Sequence, residues 1–143
     1  MNALSHVGMR VRDPERAQRF YESLGFVEVK RLTVPDKMAA GLLGLDSPIG
    51  FSAVYLQNAG FVLQLITFSG HAAPDEAERT MVGAGLTHIS FAVDDMDQAK
   101  AAVEAGGGRV VADPGGGYAC MVRDPEGQLL ELMLSSVRPV PPA

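Results

Sequence analysis

The chain is written twice. Sliding the sequence along itself by 82 residues lays Ser5–Val29 on Thr87–Val111 without a gap. His6 falls on His88, Val11 on Val93, Asp13 on Asp95, Ala17 on Ala99, Glu22 on Glu104 and Gly25 on Gly107. A second offset, of 67, lays Val62–Ile66 on Leu129–Met133, and so Gln64 on Glu131. The difference between 82 and 67 puts 15 extra residues in the middle of the first copy. Such a repeat constrains the fold more than a short motif does, because one supersecondary plan must suit both copies.

The plan is legible in each copy. Leu4–Arg12 and Leu86–Asp94 are apolar, β-branched runs of strand length. Each meets a helix-start signal, Asp13-Pro14 in one and Asp94-Asp95 in the other. Helices are expected over Pro14–Leu24 and Met96–Ala105, stopped at Gly25 and at Gly106-Gly107-Gly108. Three strands follow in each copy. They are expected at Phe26–Thr33, Phe51–Gln57 and Phe61–Phe68, then at Arg109–Asp113, Tyr118–Arg123 and Gln128–Ser135. Asn58-Ala59-Gly60 and Asp124-Pro125-Glu126-Gly127 carry turn chemistry. The order is βαβββ, twice, in a single α+β domain spanning residues 1–143. The first module covers about 3–68, a linker about 69–85 and the second module about 86–136, with a proline-rich tail at 138–143.

Alternation along the strands separates two faces. His6, Gly8 and Arg10 share one, and Val7, Met9 and Val11 the other. His88, Ser90 and Ala92 likewise oppose Ile89, Phe91 and Val93. The apolar set must meet the helix of its own copy, so the histidines face away from the helices. Gln64 sits between Leu63 and Leu65, and Glu131 between Leu130 and Leu132. A carboxylate in such a run is costly to bury without a partner or a metal. Taken singly, a strand His, a strand Gln or a half-buried Glu reads as structural. His6, Gln64, His88 and Glu131 occupy corresponding places in a repeat, and that coincidence favours a metal site.

Composition limits the partners. A net charge of −5 argues against a broad nucleic-acid footprint. No apolar run approaches the ~20 residues of a membrane helix, and Met1–His6 lacks the basic and apolar regions of a signal peptide. One cysteine, Cys120, excludes an intramolecular disulfide and a Cys-based zinc cluster. A cytoplasmic protein with a small-molecule substrate, no nucleic acid and no membrane is the expectation.

With HVGMRVRDPERAQRFYESLGF, HISFAVDD and DPEGQLLELM in corresponding places, the chain resembles the vicinal oxygen chelate superfamily, the glyoxalase/bleomycin-resistance/dioxygenase group. The resemblance covers about residues 3–136. It implies a cupped, barrel-like mixed sheet with helices outside, and a common homodimeric assembly. It also implies one divalent metal ion held by His6, Gln64, His88 and Glu131. Two imidazoles, an amide oxygen and one carboxylate suit Zn, Ni, Co, Mn or Fe. One negative charge against two positive leaves such a site net positive, able to favour charge developing on a chelated substrate oxygen.

The ligand types in this order resemble methylmalonyl-CoA epimerase. Arg10, four residues after His6, resembles the arginine by which glyoxalase I holds a substrate carboxylate, although a rim salt bridge is an equal alternative for it. Glyoxalase I usually has Glu at the Gln64 position. The resemblance thus implies a metal-dependent isomerase, epimerase or lyase moving an α-proton, with Glu131 as the acid/base and Arg10 orienting substrate. An Fe(II) extradiol-type dioxygenase on His6, His88 and Glu131 is the alternative. An antibiotic-resistance or binding protein of the same superfamily is a further one. The remaining features carry less. His71 reads as an exposed loop residue, Cys120 as a buried thiol, and Tyr55 and Tyr118 as lining or packing residues. Gly115-Gly116-Gly117 lacks the Lys and the helix of a phosphate loop. The apolar stretch Met38–Leu45 reads as a lid or as a packing helix.

Overall fold

A computed structural model describes residues 3–74 and 80–139. The chain divides into two compact units, Met1–Asp75 and Glu76–Ala143, each with its own four-stranded sheet. The strands form two separate mixed sheets, and no barrel closes among the described residues.

The first unit runs β1 (Val7–Arg10), α1 (Pro14–Ser23), β2 (Val27–Thr33), α2 (Asp36–Leu43), β3 (Phe51–Asn58) and β4 (Phe61–Phe68). Its strand order is β1-β4-β3-β2, with β1 parallel to β4 and the other pairs antiparallel. Asp13 starts α1: its carboxylate accepts the Arg16 N–H at 2.9 Å, and Pro14 opens the first turn. The helix ends where Gly25 takes a φ of +88°. Ala17, Phe20 and Tyr21, spaced i, i+3 and i+4, are buried, together with Val54, Leu56, Leu63 and Leu65. Truncating a side chain as fully buried as Phe20 to alanine costs about 3–5 kcal/mol.

The second unit repeats the plan with β5 (Ile89–Val93), α3 (Met96–Ala105), β6 (Arg109–Ala112), β7 (Ala119–Arg123) and β8 (Leu129–Leu134). The order β5-β8-β7-β6 matches the first sheet, with β5 parallel to β8. Asp95 caps α3 through the Gln98 N–H at 2.9 Å, and Gly107 (φ +87°) follows its end. Val103, Val122, Leu130 and Leu132 are fully buried. A short 3-10 turn, Ser135–Val137, follows β8.

Two further expectations need correction. The opening strands are shorter than the apolar runs, because pairing with β4 begins at Val7 and pairing with β8 begins at Ile89. His6 and His88 therefore immediately precede their strands. The insertion in the first copy holds a helix, α2, so that unit reads βαβαββ. Ala39 packs with Ile49, Phe51 and Ala53 on the face of the sheet opposite α1, whereas Met38 and Leu42 are 63% and 78% exposed. Packing thus accounts for one face of α2 only. Residues 140–143 of the expected tail and 75–79 of the expected linker lie outside the described residues. Among those described, no helix is long and apolar enough to cross a membrane.

Candidate metal and substrate site

In the first unit the donors meet through a tyrosine. Parallel pairing of β1 with β4 sets Gly8 beside Gln64. The two-residue turn between β3 and β4 then sets Tyr55 on the other side of Gln64. Gln64 is 7% exposed. Its Nε2 donates to the Tyr55 hydroxyl oxygen at 2.6 Å, which satisfies the buried amide N–H and leaves Oε1 on the Gly8 side. A Cβ at Gly8 would lie 3.2 Å from that oxygen, so a larger residue there would crowd it. The His6 ring stands edge-on to Tyr55, with centroids 5.4 Å apart and an angle of 80°. Ser5 Oγ lies 2.9 Å from His6 Nδ1.

The second unit holds its donors differently. Ser90 on β5 lies beside Glu131 on β8, and its hydroxyl donates to Glu131 Oε2 at 2.6 Å. His88 Nε2 is 3.7 Å from the same oxygen, while His88 Nδ1 lies 2.9 Å from Thr87 Oγ1. In both units a hydroxyl from the preceding residue engages Nδ1 and leaves Nε2 for another partner. A metal-ligating imidazole needs that arrangement, because the second nitrogen's hydrogen bond sets the tautomer and ring plane.

The donor chemistry fits a divalent ion. Two Nε2 atoms, one amide oxygen and one carboxylate are the mixed N/O set that such ions take; Gln64 and Glu131 lie on β4 and β8, and each histidine immediately precedes the strand paired with them. Within neither unit do three or more His, Cys, Asp or Glu side chains converge among the described residues. Each unit supplies two of the expected four, and one of the four is an amide.

Arg10 is on the same face as His6 but is already engaged. Its guanidinium donates to the His71 carbonyl and lies 4.7 Å from the centre of the Phe68 ring. Arg12 donates to the Pro74 carbonyl at 3.2 Å. Arg10, Arg12, Phe68 and His71 border a cleft of about 410 Å³ that also includes Thr67 and Ser69. His71 is not a free loop residue: it is half-buried, and its Nε2 lies 2.7 Å from the Asp46 carbonyl oxygen. Cys120 is buried as expected, with its thiol 3.6 Å from Met96 Sδ, and burial pushes its pKa up.

Two site neighbours were not expected in these roles, Tyr55 and Ser90. Tyr55 had a usable signal. A two-residue turn at Ala59-Gly60 pairs Asn58 with Phe61, and counting back along both strands puts Tyr55 opposite Gln64.

The model of the Glyoxalase/Bleomycin resistance protein/Dioxygenase superfamily matches residues 3–132. A chloroplastic protein of Arabidopsis thaliana named for lactoylglutathione lyase is 30% identical over 143 residues, 95% of this chain and 37% of that protein. Lactoylglutathione lyase GLX1 of the same plant is 27% identical over 142 residues, 95% of this chain and 45% of that protein. The chain thus spans less than half the length of these curated relatives. Among solved structures, a glyoxalase family protein from Bacillus cereus superposes with a TM-score of 0.83 at 21% identity, covering 94% of this chain and 96% of that one. The trypanothione-dependent glyoxalase I of Leishmania major superposes at 0.68 and 22% identity, covering 95% and 88%. At such identities these two likenesses speak for the fold.

Proposed function

The chain belongs to the Glyoxalase/Bleomycin resistance protein/Dioxygenase superfamily, and we propose that it is a metal-dependent lyase or isomerase of the glyoxalase I or epimerase type. Its substrate is a small carbonyl compound or thioester that presents two adjacent oxygens. His6, Gln64, His88 and Glu131 hold the ion through two imidazole nitrogens, an amide oxygen and a carboxylate. A divalent metal bound there would polarise the substrate carbonyl and lower the pKa of the neighbouring C–H.

The observation that carries this reading is the difference between the two oxygen donors. Gln64 is an amide tied to Tyr55 and cannot titrate. Glu131 is a carboxylate held on one oxygen by Ser90, with His88 beside it. Of the two oxygen donors, Glu131 is the one that can move a proton. Its Oε1, opposite the oxygen held by Ser90, takes the proton from the substrate carbon and returns it. Arg10 and the cleft beside it orient a substrate carboxylate, for which Arg10 exchanges its bond to the His71 carbonyl.

The test is incubation in deuterium oxide with hemithioacetals, thioesters and 2-oxo acids, read by proton NMR. Deuterium entering at the α-carbon, dependent on added metal and lost in Glu131→Gln, is expected. Oxygen consumption with ferrous iron and a catechol, without α-exchange, would replace this reading with the ring-cleaving oxygenase. Assembly as a homodimer in the cytoplasm is proposed with it. A monomer by light scattering at micromolar concentration would remove the first, and fractionation of the source cells tests the second.

A further inference from the structure

Tyr55 touches both donors of the first unit. It accepts the Gln64 amide N–H at 2.6 Å and packs edge-on against the His6 ring. We infer that Tyr55 is the positioning residue of this half of the metal site, turning the Gln64 amide so that its oxygen, not its NH2 group, faces the ion. The inference rests on the four-residue ligand set proposed above, and adds to it a residue that binds neither metal nor substrate.

An amide ligand has a problem that a carboxylate lacks. Turning its terminal plane by half a revolution exchanges an acceptor for a donor, and N–H groups aimed at a cation repel it. Something must hold the NH2 group elsewhere. On the β1 side of Gln64 stands Gly8, with no side chain to do so. On the β3 side stands Tyr55, whose oxygen occupies the needed acceptor position. The same ring limits rotation of His6, whose Nδ1 is engaged by Ser5. Nε2 is then the nitrogen presented to the ion. Outer partners of this kind commonly alter metal affinity by roughly 10–100-fold.

The experiment titrates Mn(II) into four metal-free proteins, following loss of the free-ion electron paramagnetic resonance signal. They are the parent, Tyr55→Phe, Gln64→Glu and the double variant. Tyr55→Phe keeps the ring against His6 and removes only the oxygen, so affinity is expected to fall by roughly tenfold or more. A carboxylate at position 64 has two equivalent oxygens and no amide to orient. The same Tyr55→Phe change should therefore cost less than about twofold in the Gln64→Glu background. Tyr55→Met, which copies the residue at the matching place in the second unit, serves as a second variant. Thermal melts of the metal-free proteins identify any variant that fails to fold. Equal affinity in the parent and Tyr55→Phe overturns the inference and leaves the ligand set standing, as does an equal loss in both backgrounds, which would make Tyr55 a general support. A parent protein that binds no Mn(II), Zn(II) or Ni(II) overturns the ligand set and this inference together.

Discussion

In the first module Gln64, the proposed oxygen ligand, has Gly8 on one side and Tyr55 on the other. In the second module the matching Glu131 has Ser90 and Met121. The polar neighbour has changed strands: a phenol on the antiparallel side in one, an alcohol on the parallel side in the other. A side chain at Gly8 would crowd Gln64 Oε1 and Ile66 Cδ1, both 3.2 Å from a Cβ placed there, and the glycine itself supplies no orienting group from β1. Met121 is apolar, so β7 supplies none in the second module. A repeat can thus keep its backbone and its donor positions while reassigning which neighbour holds them. The first module carries an amide at this position and the second a carboxyl group.

Exchanging the donors tests that division most severely. Glu131→Gln makes both halves neutral, and α-proton exchange should drop by roughly 10²–10⁴-fold, the range that a general acid/base contributes. Gln64→Glu leaves the proposed proton-transferring group, Glu131, in place and should change the rate by less than about tenfold. Comparable losses from the two would mean that the halves are functionally alike.

Removing the second module's orienting group should have a smaller effect. Ser90→Ala frees Glu131 Oε2, with an expected loss of roughly 10-fold in metal affinity or turnover. Matching that variant against Tyr55→Phe would show whether the two orienting groups do equal work. Unchanged metal binding and rate in Ser90→Ala would leave the second module without a defined orienting group.

Two surface carboxylates sharpen the comparison through pH and salt. Asp36, at the start of α2, accepts from the backbone N–H groups of Ile49 at 2.6 Å and Gly50 at 3.1 Å. Hydrogen bonds from Ser47 and these amides hold its pKa below the ordinary 3.8. Asp113 in the second module is lowered mainly by Lys100, 3.0 Å away, with help from the Gly115 N–H. Both are depressed in the folded state, so both contribute stability that is present above the ordinary value and lost as pH falls through the folded one. Melting temperature should therefore decline as acid is added below about pH 4. Asp36→Asn should lower it already at neutral pH and flatten the acid limb. Raising salt toward 1 M shortens the screening length to about 3 Å and should weaken the Lys100–Asp113 pair more than the Asp36 amide cradle. Equal salt dependence of Asp36→Asn and Asp113→Asn would break that distinction.

The hairpin turns give the smallest expected effect. The first has two residues between its last paired positions, and Ala59 there takes a φ of +46° beside Gly60 at +82°. The second carries one residue more and ends on Gly127 at +89°, the usual pattern of a three-residue hairpin. A left-handed alanine is strained by about 1–2 kcal/mol. Ala59→Gly should therefore raise stability by roughly 0.5–1 kcal/mol after the added flexibility of the unfolded chain is counted. Gly127→Ala should lower it, and scanning calorimetry would read both.

How much of this could be read from the sequence depended on whether the information was local or lay between strands. The bounds of α3 and β4 followed from Asp95, the glycines after Ala105 and the apolar run Phe61–Phe68. The repeat placed His6, Gln64, His88 and Glu131, the proposed ligands, at corresponding points. It did not show where strands stop pairing, so His6 and His88 were expected inside strands that begin one residue later. Nor did it settle α2, since Ala39 and Met38 lie in one apolar stretch and only packing on Ile49 and Phe51 divides their roles. Ser90 was placed on the histidine face, but its bond to Glu131 depends on the parallel register of two strands about 40 residues apart. No composition or spacing rule reveals that register.

The burial of Cys120 has a practical consequence. It is the sole cysteine of the chain, it is 2% exposed, and its sulfur lies against Met96 at the start of α3. A thiol-specific dye can reach it only when the seam between α3 and β7 parts. Labelling kinetics therefore measure the opening of the second module alone, with no engineered probe and no signal from the first. Followed with and without added metal, the labelling rate reports whether an ion held at Glu131 restrains the layer beneath it.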